Sequence, residues 1–380
     1  MIMTKMPAKY PVGIQTFSSL IEEGYLYIDK TDLIYDLVNG NKCVFLSRPR
    51  RFGKSLLTST LESYFSGNKK LFLNLKIYRL EKNWDVFPVF HFDLSAENFD
   101  HPQRLINYIS NDLKSFESRM KLPSEGSISQ RLKNLIIQAY NTTGKKVVIL
   151  IDEYDKPMLD SLDKAEIYND IREELRGFYS VIKACDRYIR FAFLTGITKF
   201  SRVSVFSGLN NLKDISLHPA FNAICGISET EMHEYFRESV ECFASNERIS
   251  AKQVWEKLKY CYDGYHFARR GEDIYNPISV LNTFDECEFR DYWFETGNPK
   301  FLFSLIRDNH FEIANFEGAT RTADQLSDIS NLSSDIVPLL YQAGYLTIKD
   351  YDADTSLYIL GFPNREVSRQ FWQRLTNKNK

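Results

Sequence analysis

Residues 43–55 have the sequence CVFLSRPRRFGKS, and residues 56–65 continue it as LLTSTLESYF. The first four residues form an apolar run with the length of a buried strand. Apolar residues recur in the continuation at helical spacing, and Gly67 is a suitable helix stop. The stretch therefore predicts a strand, a basic loop and a helix in immediate succession.

The loop ends in Gly53-Lys54-Ser55, a tripeptide suited to binding phosphate groups. Backbone N–H groups of a tight loop and of a helix N-terminus can hold a triphosphate. Gly53 would let the backbone approach the phosphates, Lys54 would reach the β- and γ-phosphates, and the Ser55 hydroxyl would ligate Mg²⁺. We expect the following nucleotide-binding residues: Arg51, Phe52, Gly53, Lys54, Ser55 and Leu56.

The full pattern G-x-x-x-x-G-K-[ST] is not met, because Arg48 stands where the first glycine belongs. A serviceable glycine turn at a helix N-terminus, with a solvated basic loop, would contain the same tripeptide. Guanidinium groups suit phosphate geometry and can stabilise transition-state charge. Arg48, Arg50 and Arg51 are thus candidates beside the loop and Arg202 is one further on, although each could equally be an exposed surface charge.

A second element strengthens the nucleotide interpretation. The apolar run at 147–151 leads directly into Asp152-Glu153-Tyr154-Asp155. Ligands of open α/β sheets bind at the carboxyl ends of parallel strands, which is where these carboxylates would lie. Asp152 would hold Mg²⁺ and Glu153 would act as general base toward the attacking water. A solvated acidic turn is the alternative, but it does not explain the upstream Gly-Lys-Ser.

Further strands are expected at 89–93 and 188–194, with helices over 102–140 and 165–184. Alternation of strands and helices predicts the α/β class, with a largely parallel sheet covered by helices on both faces. Thr195 follows the last of these strands. We interpret it as a candidate sensor of the γ-phosphate, with Thr198 behind it, against the alternative of simple strand-end polarity.

Beyond about residue 215 the pattern becomes mainly helical. A capping box at 228–231 opens a helix to about residue 243. Two strands, at 344–348 and 356–364, are expected around a turn at 351–354. We therefore predict a P-loop ATPase-like domain at 1–215 and a helical lid with a winged-helix-like end at 216–380.

Composition limits the class of protein. The 380 residues carry a formal net charge of −2, which argues against a surface coated in one sign for general nucleic-acid binding. The six cysteines show no C-x-x-C spacing. The N-terminal residues lack the apolar core of a signal peptide, and the longest aliphatic run is too short to span a bilayer. A cytoplasmic location without membrane contact is expected.

Three quoted segments resemble one family: FLSRPRRFGKSLL at 45–57, ILIDEYDKP at 149–157 and LTGITKFS at 194–201. Together they are similar to the AAA-ATPase-like family of bacterial P-loop proteins. Flanking segments agree, namely YIDKT at 27–31, YNPISVLN at 275–282, YWFETGNP at 292–299 and LGFPNREV at 360–367.

This resemblance implies a P-loop NTPase three-layer core that binds ATP with Mg²⁺ and has the sheet order 5-1-4-3-2. By position, Lys54 and Ser55 correspond to the Walker A pair, and Asp152 and Glu153 to the Walker B pair. It also implies a helical, winged-helix-like lid. Phe17 and the segment 27–30 are implied to contribute to an adenine pocket.

Members of the family often carry a PD-(D/E)XK nuclease-like domain at the C-terminus. Residues 365–380 contain no E-x-K catalytic strand. We therefore do not predict nuclease activity for this chain.

Three functions remain open from the sequence. The first is a Mg²⁺-dependent ATPase with Glu153, Lys54 and Thr195 as catalytic residues. Its nucleotide state would control the lid and an unidentified protein partner, as in a nuclease-linked or defence system. The second is a nucleotide-sensing interaction module that does not hydrolyse ATP. The third is a winged-helix DNA-binding protein, which the charge does not indicate; its candidate contacts are Arg269, Arg270, Arg374, Lys378 and Lys380.

Overall fold

The structure is a computed structural model that describes residues 7–162, 164–199, 211–294, 300–312, 315–329 and 332–376. Arg202, Lys378 and Lys380 lie outside these ranges. The described chain divides into two compact units. We call residues 31–47 and 58–215 the sheet unit, and residues 7–30, 48–57 and 216–376 the helical unit.

One edge of this division falls between residues 215 and 216, where the sequence places a domain boundary. Residues 7–30 and the loop 48–57 group with the helical unit instead of with the sheet. The assignment of two functional domains stays a prediction.

Helices and strands follow one another along the described chain. The helices are α1 Phe17–Glu22, α2 Thr31–Gly40, α3 Lys54–Phe65, α4 Ile77–Leu80, α5 Pro102–Met120, α6 Ile128–Thr143, α7 Lys156–Leu159, α8 Ala165–Ala184, α9 Glu229–Tyr235, α10 Arg237–Glu247, α11 Ala251–Tyr262, α12 Pro277–Glu286, α13 Lys300–Asp308, α14 Ala323–Leu326, α15 Val337–Gln342 and α16 Arg365–Thr376. The strands are β1 Cys43–Ser47, β2 Val89–Asp93, β3 Val147–Asp152, β4 Ile189–Gly196, β5 Lys213–Asp214, β6 Ile227–Ser228, β7 Ile274–Tyr275, β8 Thr320–Arg321, β9 Thr347–Asp352 and β10 Leu357–Gly361.

Strands β1 to β5 form one sheet in the order β2-β3-β4-β1-β5. Every neighbouring pair in it is parallel. Read from the other edge, this is the order 5-1-4-3-2, so the expected P-loop NTPase-like α/β core is confirmed. Every residue of β3 is buried. Burying one aliphatic side chain stabilises a fold by about 1.5–3 kcal/mol, so this strand anchors the centre of the sheet.

The helical stretch expected at 102–140 is two helices, α5 and α6. Lys121 ends α5 in the left-handed conformation, with a φ of 56°, and Ser127 caps the start of α6. Pro123 and Gly126 occupy the connection and disfavour a continuous helix. A salt bridge of 2.7 Å between the buried side chains of Arg131 and Glu117 then ties the two helices together.

In the helical unit, the predicted capping box is present, with Ser228 and Glu231 each bonded to the other's backbone. The helix beginning there is interrupted at Phe236, so α9 and α10 are separate. Strands β8, β10 and β9 form an antiparallel sheet. Its hairpin turn lies just after Asp352, slightly beyond the expected position, and Ser356 has a φ of 59° there. The winged-helix classification stays a prediction.

A bilayer-spanning helix would need about 20 mostly apolar residues. In the ranges that the structure covers, no helix meets the required length and apolar character.

Candidate nucleotide site

Arg48 is the residue that replaces the first glycine of the loop, and it is only 2% exposed. Its Nη1 donates to the Ser216 carbonyl oxygen at 2.8 Å, and its Nη2 donates to the Phe221 carbonyl oxygen at 3.1 Å. The guanidinium carbon lies 4.3 Å from the centre of the Phe267 ring. Arg48 is therefore neither an exposed charge nor a candidate phosphate contact, since backbone carbonyls and an aromatic face already surround its charge.

The rest of the loop is fixed by its neighbours in the helical unit. The buried Phe52 ring packs edge-on against Tyr265, with ring centres 4.8 Å apart. The indole N–H of Trp293 donates to the Arg50 carbonyl oxygen at 3.3 Å. A Cβ on Gly344 would come within 2.6 Å of the Pro49 Cβ, so glycine permits this close approach. Packing of this kind holds the loop in one conformation.

The Phe52 side chain thus belongs to the core of the helical unit. A contribution from Phe52 to phosphate binding would have to come from its backbone, and this contribution stays a prediction. Arg50 and Arg51 are exposed beside it. Arg51 has a φ of 68°, which non-glycine residues rarely adopt.

Helix α3 begins at Lys54, directly after Gly53. Gly53 has a φ of 92°, and no atom lies within 4 Å of where a Cβ would stand. Glycine is consequently needed here for backbone conformation and not for lack of space. The buried Lys54 ammonium donates to the Pro49 carbonyl oxygen at 3.3 Å, and Ser55 is half-buried at the start of the helix. The segment has the elements of an anion-binding turn: a left-handed glycine, a helix N-terminus and a lysine folded over the loop.

In the sheet unit, the predicted residues lie at the carboxyl ends of β3 and β4. Asp152, the last residue of β3, is buried, and its Oδ1 accepts the Glu153 N–H at 2.9 Å. Glu153 is half-buried and has a φ of 49°. Thr195 is buried in β4, where its hydroxyl donates to the Leu46 carbonyl oxygen at 2.8 Å. Because that hydrogen is used within the sheet, the predicted sensor role of Thr195 would require its side chain to rotate.

Asp155 is a buried residue of this region that the sequence analysis did not assign a role. Its Oδ2 accepts the Thr198 N–H and the Thr198 hydroxyl, both at 2.6 Å, and the Ile197 N–H at 3.1 Å. The Tyr154 hydroxyl also donates to the Thr198 carbonyl oxygen. The second aspartate of the D-E-Y-D segment therefore fixes the chain that leaves β4. In the sequence, the position of Asp155 two residues after Glu153 was the signal that could have pointed to this role.

Comparisons with known proteins agree with this geometry. Residues 11–206 match a family described as "Predicted AAA-ATPase". The chain is also 39% identical, over 368 residues, to an uncharacterized protein in the vnfD 5′ region of Azotobacter chroococcum mcd 1. That alignment covers 94% of this chain and 68% of the relative.

The chain belongs to the AAA-ATPase-like family. Strands β1 to β4 of the parallel sheet and the Gly-Lys-Ser turn that follows β1 fall inside the matched range, and β5 lies just beyond it. Membership of this family supports the predicted nucleotide binding.

The AAA-ATPase-like sheet has further ionisable groups at the ends of β2 and β3. Asp93 is the register partner of Asp152. Burial raises the pKa of Asp112 to about 6, and the nearby Asp93 charge acts in the same direction. In strand β2, which also contains Asp93, His91 Nδ1 lies 2.9 Å from Glu62 Oε2. Burial lowers the pKa of His91, but the Glu62 carboxylate more than offsets this and the net shift is upward. His91 is therefore a packed residue that is paired with Glu62.

The family-implied adenine segment is folded within the helical unit. Phe17 is fully buried, with its ring centre 5.1 Å from that of Tyr27. The Lys30 ammonium forms a salt bridge of 2.6 Å with Glu231. These contacts commit both side chains to local packing, and a role in adenine binding stays a prediction.

Proposed function

We propose that this chain is a Mg²⁺-dependent ATPase that binds the triphosphate at Gly53-Lys54-Ser55. The observation that carries the proposal is the anchored loop. Three backbone carbonyl contacts of Arg48, to Ser216, Phe221 and Asn222, hold its first residue in place. A preformed turn does not have to be ordered when ligand binds, which favours affinity.

The loop residues suit a phosphate group. Gly53 is exposed and left-handed, and it directly precedes the N-terminus of α3, where backbone N–H groups favour an anion. Lys54 would supply the positive charge that phosphate oxygens need at this turn. The exposed Arg50 and Arg51 add further positive charge beside it.

Asp152 and Glu153 suit the remaining roles. Mg²⁺, when bound, supplies charge neutralisation at the phosphate oxygens, and Ser55 and Asp152 have the oxygen ligands that it prefers. Glu153 would take a proton from the attacking water at a carboxylate oxygen. Its left-handed backbone supports a functional interpretation, because strained residues persist mainly where a fixed direction is needed.

The nucleotide state would then control the helical residues 216–380 and, through them, a protein partner. Support for this step comes from the loop itself. Its carbonyls and side chains are bonded to residues that follow position 215, including Gly226, whose N–H donates to the Phe52 carbonyl oxygen at 3.0 Å. Movement of the loop on phosphate release would disturb these contacts directly.

A titration of the full chain with ATP and GTP, with and without Mg²⁺, tests the proposal when phosphate release is followed in parallel. We expect saturable ATP binding and Mg²⁺-dependent turnover. Binding without turnover, also in the presence of candidate partners, would favour the nucleotide-sensing module. Lack of binding to both nucleotides would overturn the proposal.

A further inference from the structure

A cavity of about 520 Å³ lies in the helical unit between α11, α16 and the segment 289–294. Five of its eleven lining residues are cationic and one is acidic. The cationic residues are Lys257, Arg290, Arg365, Arg369 and Arg374, and the acidic residue is Asp291. This gives the cavity a formal charge of +4 (five minus one), whereas the whole chain has −2.

Carboxylates neutralise only part of this charge. Arg290 Nη1 lies 2.7 Å from Glu286 Oε2, and Arg369 Nη1 lies 3.5 Å from Asp291 Oδ2. That Asp291 oxygen also accepts a hydrogen bond of 2.7 Å from the Gln370 amide, so it is shared. Two of the cavity's positive charges are therefore balanced locally, one of them weakly.

The other cations rest on aromatic rings and on the thiol of Cys261. The Lys257 ammonium lies 4.2 Å from the centre of the Phe289 ring, and the Arg374 guanidinium lies 5.3 Å from that of Phe294. Arg365 approaches Cys261, and burial raises the pKa of that thiol by more than the guanidinium lowers it. Within the described ranges, no carboxylate is within 4 Å of the charged groups of Lys257, Arg365 or Arg374.

Such an arrangement is suited to an anion. Like charges held together in a partly apolar cavity repel one another, and a bound anion removes that repulsion. Guanidinium groups are weakly hydrated and match the geometry of phosphate oxygens. The aromatic rings keep the cations oriented without neutralising them.

We propose that this cavity binds a small ligand carrying two or more phosphate groups. The volume is within the range of about 300–1,000 Å³ that is usual for small-molecule sites. The near-zero charge of the whole chain favours a small ligand over a nucleic-acid strand, which would need an extended basic surface. None of the lining residues belongs to the loop 48–57, so the cavity shares no residue with that loop of the proposed ATP site.

The test is calorimetric titration of the full chain with tripolyphosphate. Two samples exclude binding at the loop. In the Lys54→Ala variant the expected contribution of the loop is removed, and in the wild-type chain the loop is saturated with ADP and Mg²⁺. We expect saturable binding in both. In the Lys257→Ala/Arg374→Ala double variant, affinity should fall at least about tenfold, since two phosphate contacts are lost. Lys252→Ala, an 85% exposed lysine on the same α11, is the matched control and should bind like its parent.

Failure of tripolyphosphate to bind the Lys54→Ala chain and the ADP-saturated wild type would overturn the proposal. Equal affinity in the double variant and the control would do the same. A single-stranded oligothymidylate that binds more tightly than tripolyphosphate, with the same dependence on Lys257 and Arg374, would replace the small ligand by nucleic acid. If instead the ATPase proposal is wrong, wild type fails to bind ATP at the loop while the cavity still binds tripolyphosphate through Lys257 and Arg374.

Discussion

The guanidinium group of Arg48 lies over the ring of Phe267. In the sequence, Arg48 stands where a P-loop has its first glycine. An arginine here could not have been assigned to a buried role from the motif alone. Its partners are backbone carbonyl groups more than 160 residues further along the chain. Arg48 thus connects the start of the loop to the part of the helical unit that follows residue 215.

We expect Arg48→Ala to destabilise the protein by about 3 kcal/mol, because hydrogen bonds from a charged group to buried carbonyls contribute about 1.5–3 kcal/mol each and the carbonyls are left unpaired. Chemical denaturation followed by circular dichroism measures the change. Arg50→Ala is the control, since its side chain is exposed. Equal stability of the two variants would contradict the structural role of Arg48.

Lys54→Ala should weaken ATP binding by about 10- to 100-fold, the effect of losing one or two charge-assisted hydrogen bonds. Isothermal titration with ATP and Mg²⁺ provides the affinity. Lys145→Ala removes an exposed lysine that pairs with Asp85 and serves as the control. An ATP affinity unchanged in Lys54→Ala would show that the Gly-Lys-Ser turn is only a helix start.

Two substitutions of Glu153 distinguish the catalytic role of its carboxylate from the strain of its left-handed backbone. Glu153→Gln keeps the side-chain shape but removes the base, so phosphate release should fall by about 10²- to 10⁴-fold while ATP binding persists. Glu153→Gly should lose turnover equally, yet raise the free energy of unfolding by up to about 1 kcal/mol, because glycine tolerates the left-handed φ of 49°.

Phosphate release and denaturation curves distinguish these effects. Wild-type turnover in Glu153→Gln would remove Glu153 from catalysis. A Glu153→Gly protein less stable than Glu153→Gln would show that side-chain contacts outweigh the strain.

The sequence predicted the sheet well because its strands are short apolar runs with clear boundaries. The bounds of β2 and α8 agree with the expected 89–93 and 165–184. The stretch 102–140 was expected to be helical, and it is helical apart from the break between Lys121 and Ser127, which the periodicity did not reveal. The first turn of α3 and the acidic end of β3 were likewise recognisable from local pattern.

Contacts between distant segments were not predictable in the same way. The burial of Arg48 depends on carbonyls at positions 216 and 221, and a single sequence contains no signal for such a pairing. The hydroxyl direction of Thr195 depends on the neighbouring strand β1. The cationic cavity combines residues of α11 and α16 that are more than 100 positions apart.

Asp155→Asn should destabilise the sheet unit by about 2–4 kcal/mol. The carboxylate accepts from two backbone N–H groups and one hydroxyl, whereas an amide has no charge and its NH₂ group would face the Ile197 N–H, which also lies 3.4 Å from Oδ1. Thermal unfolding and hydrogen exchange at Ile197 and Thr198 report the loss. Asp170→Asn, at an exposed position of α8, is the control. Exchange at these amides that is unchanged in Asp155→Asn would contradict the assignment.

Glu366 should make the stability of the protein depend on pH. The carboxyl group is fully buried and accepts from the Ser279 hydroxyl and the Trp293 N–H, each at 2.8 Å. Burial raises its pKa from 4.5 to about 8, more than these donors lower it. Between pH 4.5 and 8 the folded state therefore keeps a proton that the unfolded state has released, so stability falls as pH rises through that interval.

The Glu366→Gln variant lacks this titration. We expect the melting temperature of wild type relative to that of Glu366→Gln to decrease from pH 5 to pH 8 and then to level off, because the proton difference ends above the folded pKa. Each unit of pKa shift corresponds to about 1.4 kcal/mol, so the decrease should be several degrees. Glu241→Gln, at an exposed position of α10, should track wild type at every pH. A difference between wild type and Glu366→Gln that stays constant from pH 5 to 9 would mean that Glu366 is ionised throughout, with the Ser279 and Trp293 donors outweighing the cost of burial.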